Sequence, residues 1–170
     1  DNDGNDEVAI LYGGSPGAVG VYEIADDGSA PTEIVGFSAS VGNNPNDIDT
    51  GDFNNDGLAD LLIANEDDDS ITVLLTVNTG GILSFTSSTI PIPGSLQTVT
   101  CAAVVDWDED PELDAVIGVA TNATNEPDGY RIIRNISSNS PIVGPWIEIP
   151  NYEIAPGTFS SDSPTALDGL

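Results

Sequence analysis

The feature that most constrains this chain is a short acidic stretch, Asp52-Phe53-Asn54-Asn55-Asp56-Gly57-Leu58-Ala59-Asp60, that recurs at a fixed interval. Side-chain oxygens stand at its first, third, fifth and ninth places, glycine stands at its sixth, and Leu61-Leu62-Ile63-Ala64 follows at once. Alternate side chains of so short a loop point inward as the backbone curls, which is how a loop wraps a hard cation. Carboxylate and amide oxygens suit calcium, which accepts a tolerant all-oxygen geometry. An EF-hand loop runs on to a later glutamate and into a helix. Here the ninth place closes the loop and a β-prone apolar run begins, so the stretch reads as a calcium loop inside a β-hairpin.

Two further copies turn one acidic turn into a repeat. Asp106-Trp107-Asp108-Glu109-Asp110-Pro111-Glu112-Leu113-Asp114 leads into Ala115-Val116-Ile117-Gly118-Val119. Asp1-Asn2-Asp3-Gly4-Asn5-Asp6-Glu7 matches the last seven places and leads into Val8-Ala9-Ile10-Leu11-Tyr12. The fifth-place aspartates Asp3, Asp56 and Asp110 lie 53 and 54 residues apart. Three loops in register, each with the same apolar strand behind it, define a repeat unit.

Charge narrows the partners. The 170 residues carry 29 Asp and Glu against two cations, Arg131 and Arg134, for a net charge of −27, with no lysine, histidine or methionine. Nothing here replaces counterions on phosphate, so nucleic acid is excluded, and an anionic membrane surface is disfavoured for the same reason. Hydrophobic residues nonetheless make up 39%, so the chain is a folded domain with a very acidic surface and not a disordered acidic tail. Three calcium ions would leave about −21, and the remaining carboxylates must be solvated and screened, as in saline or calcium-rich surroundings. Cys101 is alone, which leaves no disulfide scaffold, and its setting in Thr98–Val105 reads as buried and apolar. No run of 18 or more apolar residues exists to span a membrane. With no initiating methionine, no signal peptide and both ends cut within the repeat, the chain reads as a piece of a longer, secreted protein.

Between the loops, short β-prone runs alternate with turn residues: Val8–Tyr12, Ala18–Ile24 and Thr32–Ser38; Asp47–Phe53, Leu61–Asn65, Ser70–Val77 and Ile82–Ile90; Thr98–Val105, Leu113–Ala120, Tyr130–Asn135 and a last segment through Trp146–Pro150. No amphipathic helix is legible. The expected fold is all-β: about three β-propeller blades of four antiparallel strands, part of a larger ring. The units run roughly 1–46, 47–97 and 98–164, with 165–170 starting the next blade, all in one propeller segment 1–170. A calcium-turn β-helix needs nonapeptide repeats, and a tandem β-sandwich needs about 100 residues per domain.

Gly51-Asp52-Phe53-Asn54-Asn55-Asp56-Gly57-Leu58-Ala59-Asp60-Leu61-Leu62 resembles the FG-GAP/VCBS type of repeat, as in the integrin alpha-chain propeller, and Asp106–Val119 and Asp1–Tyr12 match the same motif. The resemblance implies four-stranded blades, commonly seven to a ring, with Ca²⁺ in the hairpin loop between the first two strands. It implies as ligands Asp52, Asn54, Asp56, the carbonyl of Leu58, and Asp60. For the third loop it implies Asp106, Asp108, Asp110, the carbonyl of Glu112, and Asp114. For the first it implies Asp1, Asp3, the carbonyl of Asn5, and Glu7. Up to three ions are therefore expected. Pro111 departs from the pattern where Gly4 and Gly57 stand, because proline cannot take a positive φ, so the third loop is expected to be reshaped.

The function expected is a non-catalytic extracellular module for adhesion or for binding a protein or glycan, with calcium structural in the loops and no membrane insertion. Without histidine or lysine, catalysis would fall to carboxylates or tyrosines, yet nearly every acidic cluster is accounted for by a loop or turn, so no catalytic residue is expected. The alternatives are a self-assembling subunit of a surface layer or filament, and, more weakly, part of a secreted carbohydrate-active enzyme. Self-association or the remainder of the same propeller would complete the ring. Trp107 and Phe53, sharing the second loop place, are expected to pack between blades. Trp146, Tyr130 and Tyr152 are candidates for an aromatic platform, and Asn122 and Asn135 head glycosylation sequons.

Overall fold

The computed structural model describes residues 6–25, 27–94, 97–121, 128–138 and 140–148. Every apolar run bounded by turn residues becomes a strand, and there is no helix among the described residues, so none that could cross a membrane. Strands β1 (Asp6–Tyr12), β2 (Ala18–Ile24) and β3 (Thr32–Ser40) form one antiparallel sheet in chain order. A second contains β4 (Pro45–Gly51), β5 (Asp60–Asn65), β6 (Ser70–Thr79) and β7 (Ile82–Pro91). The third runs β11 (Ile142–Val143), β10 (Gly129–Arg134), β9 (Asp114–Thr121), β8 (Gln97–Val105), and β12 (Ile147–Glu148) also pairs with β10. All three are open meanders, consistent with blades of a partial propeller.

Two elements differ from the sequence expectation. Strand β4 stops at Gly51 and does not run through Phe53, because the Phe53 N–H turns back to donate to Asp60 Oδ2 at 2.8 Å instead of joining the ladder. The last strand of the third sheet is split into β11 and β12. There the Gly144 N–H donates to the Ile132 carbonyl at 2.8 Å, and Pro145, which has no N–H, follows.

The sheets stack face to face, and the core lies between them. Phe53, Leu62, Ile71 and Val73 of the second sheet region interlock with Val99, Ala115, Ile117 and Ile133 of the third. On the other side Ile63 and Leu74 meet Val19 and Leu11 of the first sheet, and the Phe37 and Phe85 rings stack at 4.3 Å between centroids. Each fully buried aliphatic or aromatic side chain of this kind contributes about 1.5–3 kcal/mol, so sheet stacking and not loop chemistry supplies most of the cohesion.

The acidic turn Glu66–Asp69 is more than a solvated hairpin. Asp68 accepts from both the backbone N–H and the side-chain amide of Asn43, each at 2.7 Å, and Glu66 accepts from Asn44 Nδ2 at 3.2 Å. That turn therefore clasps the link between the first two sheets.

Candidate metal centre

The loop Asp52–Asp60 joins β4 to β5 and is held by its own acidic side chains. Asp52 Oδ1 and Asn54 Oδ1 both accept the Asp56 N–H at 3.0 Å, and Asp52 Oδ2 accepts the Gly57 N–H at 2.9 Å. Asp56 Oδ1 takes the Leu58 N–H at 2.9 Å, and its Oδ2 takes the Asn54 amide at 3.0 Å. The turn needs positive φ at Asn55 (57°) and Gly57 (86°), conformations that asparagine and glycine tolerate best. Asp52, Asn54 and Asp56 thus gather their oxygens on one patch of the loop.

Asp60 does something different. It is fully buried, with Oδ2 accepting the Phe53 N–H at 2.8 Å and Oδ1 accepting the Thr76 N–H at 2.7 Å. One carboxylate so ties the start of the loop, its end and strand β6 together. Burial holds this carboxyl above the ordinary range, the Thr76 and Phe53 N–H groups pull it back, and repulsion from Asp56 and Asp52 pushes it further up. Asp114 repeats the arrangement in the third sheet: fully buried, it takes the Trp107 N–H at 3.1 Å and the Asn135 N–H at 2.9 Å.

Loop Asp106–Asp114, between β8 and β9, shares the left-handed fourth place (Glu109, φ 59°) but closes otherwise. Asp106 Oδ1 accepts from Glu109 at 2.9 Å, one residue earlier than in the middle loop. Pro111 has no N–H to offer Asp106, and its carbonyl instead accepts Asn55 Nδ2 at 2.7 Å, a bond from one loop to the next. Asp110 Oδ1 takes the Glu112 N–H at 2.9 Å. Glu112 is pinned by Asn135 Nδ2 at 2.9 Å and Asp108 by Arg134 at 3.5 Å, a half-exposed pair of small energetic weight. Asn135, the head of a sequon, therefore has its amide engaged. The second-place aromatics also diverge. Phe53 is 0% exposed, seated beside Leu113 through the close approach at Gly51, whereas Trp107 is 50% exposed. No described strand lies beyond the third sheet to cover it, which corrects the expectation that both pack between blades.

Of the first loop, Asp1, Asp3 and Asn5 lie outside the described residues, and Glu7 sits on β1 opposite Glu23. Among the described residues no three His, Cys, Asp or Glu side chains form a group that could hold a metal. The middle loop assembles two carboxylates and an amide, with Asp60 set into the core below them. Its fit to a hard cation is one of donor chemistry. The set is all oxygen, and each oxygen that accepts one N–H keeps a further lone pair.

One pair of functional side chains was not singled out from the sequence. Asp47 and Asp49, on the edge strand β4 of the second sheet, each bridge to the edge of β8: Asp47 Oδ2 accepts the Ala102 N–H at 3.0 Å and Asp49 Oδ2 the Val104 N–H at 2.8 Å. Their signal is Asp-Ile-Asp at period two, which places both carboxylates on one face of the strand. Of the aromatic platform, Tyr152 lies outside the described residues. Trp146 packs against Gly129, its indole N–H buried without a partner.

A family model for the FG-GAP-like repeat matches residues 1–63 and 52–117. No curated protein and no solved structure matches the chain.

Proposed function

Since this chain belongs to the FG-GAP-like repeat family, we propose that it is a non-catalytic, calcium-stabilised β-propeller module of an extracellular protein, serving adhesion or the binding of a protein or glycan. Repeats of this family are generally non-catalytic. The observation that carries the reading is the middle loop, where Asp52 and Asn54 aim their oxygens at the one Asp56 N–H while Asp56 stands beside them. Asp52, Asn54, Asp56, the Leu58 carbonyl and Asp60 would hold the ion. Asp106, Asp108, Asp110, the Glu112 carbonyl and Asp114 would do so more weakly. Calcium supplies positive charge where clustered carboxylates repel, and thereby stiffens the hairpin that opens each blade. Its role is structural.

The test is calorimetric titration with Ca²⁺, paired with thermal unfolding in EGTA and in about 5–10 mM Ca²⁺, above the range where weak extracellular modules saturate. Saturable binding of one to three ions with a higher melting temperature supports the reading. No heat and no shift would sink the calcium assignment.

The exposed Trp107, together with Val35 (94% exposed) and Ile82 (72% exposed), favours a second reading, a self-assembling surface subunit. Sedimentation with and without Ca²⁺ separates the two: a concentration-independent monomer in both conditions rules out assembly.

A further inference from the structure

Two peptide units connect the middle loop to the third. The first lies between Asn55 and Asp56, and its N–H is accepted by Asp52 Oδ1 and Asn54 Oδ1, both at 3.0 Å. The second lies between Pro111 and Glu112, and its N–H is accepted by Asp110 Oδ1 at 2.9 Å. Asn55 joins the two: its Nδ2 donates to the Pro111 carbonyl at 2.7 Å, across 56 residues of sequence. The path continues beyond that peptide. Glu112 Oε2 accepts Asn135 Nδ2 at 2.9 Å, and the Asn135 N–H donates to the buried Asp114 at 2.9 Å. Hydrogen bonds therefore run unbroken from the first and third places of one loop to the fifth and ninth places of the next.

The joining bond depends on the residue type at the fourth place. Asn55 has φ 57°, a left-handed conformation that asparagine tolerates, so it turns the chain and still carries a donor. Glu109 fills the same place in the third loop at φ 59°, but an ionised carboxylate has no hydrogen to give a carbonyl.

We propose that Asn55 is a positioning residue that makes cation binding at the two loops positively cooperative, an inference that rests on the calcium reading above. Fixing Asp52 and Asn54 fixes the Asp56 N–H that they share, and with it the backbone that carries Asn55. Asn55 in turn fixes the Pro111–Glu112 peptide against which Asp110 is held. The third loop then has less left to order when its own carboxylates close on an ion, which is the condition for positive coupling. Repulsion between two ions opposes this, but it acts beside exposed loops and is screened by salt. The coupling is reciprocal, so each loop raises the affinity of the other by the same factor.

The experiment uses the full chain, Ca²⁺ as the only probe, and the Glu109 and Glu112 amide resonances to read the third loop alone. Asp52→Asn disables the middle loop and leaves every third-loop side chain in place. It should weaken Ca²⁺ binding at the third loop by about fivefold or more. Asn55→Gly deletes the donor while keeping a residue that accepts positive φ. In that background Asp52→Asn should leave third-loop affinity unchanged. The charge removed is the same in both backgrounds, so the double-mutant cycle isolates the joining bond from simple electrostatics. In EGTA, Asn55→Gly should by itself move the Glu112 amide resonance, a readout that needs no ion.

An unmoved Glu112 resonance overturns the proposal. So does binding at both loops that ignores Asp52→Asn, or an Asp52→Asn effect that survives Asn55→Gly; either result leaves the calcium reading standing. Absence of Ca²⁺ binding at both loops overturns the calcium reading and the cooperativity together, even where the EGTA measurement shows the joining bond.

Discussion

Asp49 accepts the Val104 N–H through Oδ2 and the Thr50 N–H through Oδ1, both at 2.8 Å, so one carboxylate joins two strand edges that belong to different sheets. Asp47 does the same for Ala102 and Ile48 at 3.0 Å. Strands β4 and β8 belong to different sheets and share no ladder bonds. Side-chain oxygens span the gap and satisfy N–H groups that would otherwise face an apolar junction.

Asp49→Ala should therefore lower unfolding free energy by about 1–3 kcal/mol, the penalty of leaving a part-buried donor unpaired. Removing one of many negative charges works in the opposite direction. The urea titration is best run near 1 M salt, where the Debye length falls to about 3 Å. The Val104 amide should also exchange faster. Unchanged stability together with unchanged Val104 exchange would show that the bridge carries no weight.

Asp60→Asn should destabilise the metal-free protein by a similar amount, about 1–3 kcal/mol. The isosteric amide offers one acceptor where two N–H groups, from Phe53 and Thr76, require two, and its NH₂ must face one of them. Asp114→Asn should match it, since Trp107 and Asn135 make the same demand. Measuring both in EGTA separates this structural role from metal binding. A neutral or stabilising result would mean that desolvation of the buried charge outweighs its hydrogen bonds.

Burial raises the Asp60 and Asp47 carboxyls in the folded state, with nearby carboxylates adding to the shift. A raised folded-state value means that the native protein holds protons the unfolded chain has already released. Stability contributed by protonation is thus present at low pH and lost as pH rises from about 4 through the folded-state values. Mutual repulsion within a chain of net charge −27 acts in the same direction. In metal-free buffer the melting temperature should fall as pH rises from about 4 toward neutrality. A rise over that interval would contradict the assignment.

The loops and most strands were legible because turn residues and apolar runs are local signals. Asp56, Gly57 and Leu61–Ala64 announce a tight turn into a buried strand without reference to anything distant. The Asp47 and Asp49 bridges were not legible, because their partners Ala102 and Val104 lie 55 residues away and a period-two acidic strand reads equally as a solvated edge. The exposure of Trp107 was hidden for the same reason. Its place in the repeat equals that of Phe53, and only the neighbouring sheet decides whether an aromatic there is covered.

The sixth loop place gives the sharpest contrast between the two described loops. Gly57 has φ 86° and open space where a Cβ would stand, so Gly57→Ala introduces strain without a clash and should cost about 1–2 kcal/mol with or without calcium. Pro111→Gly supplies the N–H that the middle loop donates to Asp52 and that the third loop lacks. In EGTA this change should lower stability by about 1 kcal/mol, because glycine widens the unfolded ensemble that proline narrows. In about 5–10 mM Ca²⁺ the loss should shrink or reverse, and calorimetry should show tighter binding at the third loop. Equal losses in both buffers would mean that the loop's carboxylates serve the hairpin alone, through the N–H bonds already seen at Asp106, Asp110 and Asp114.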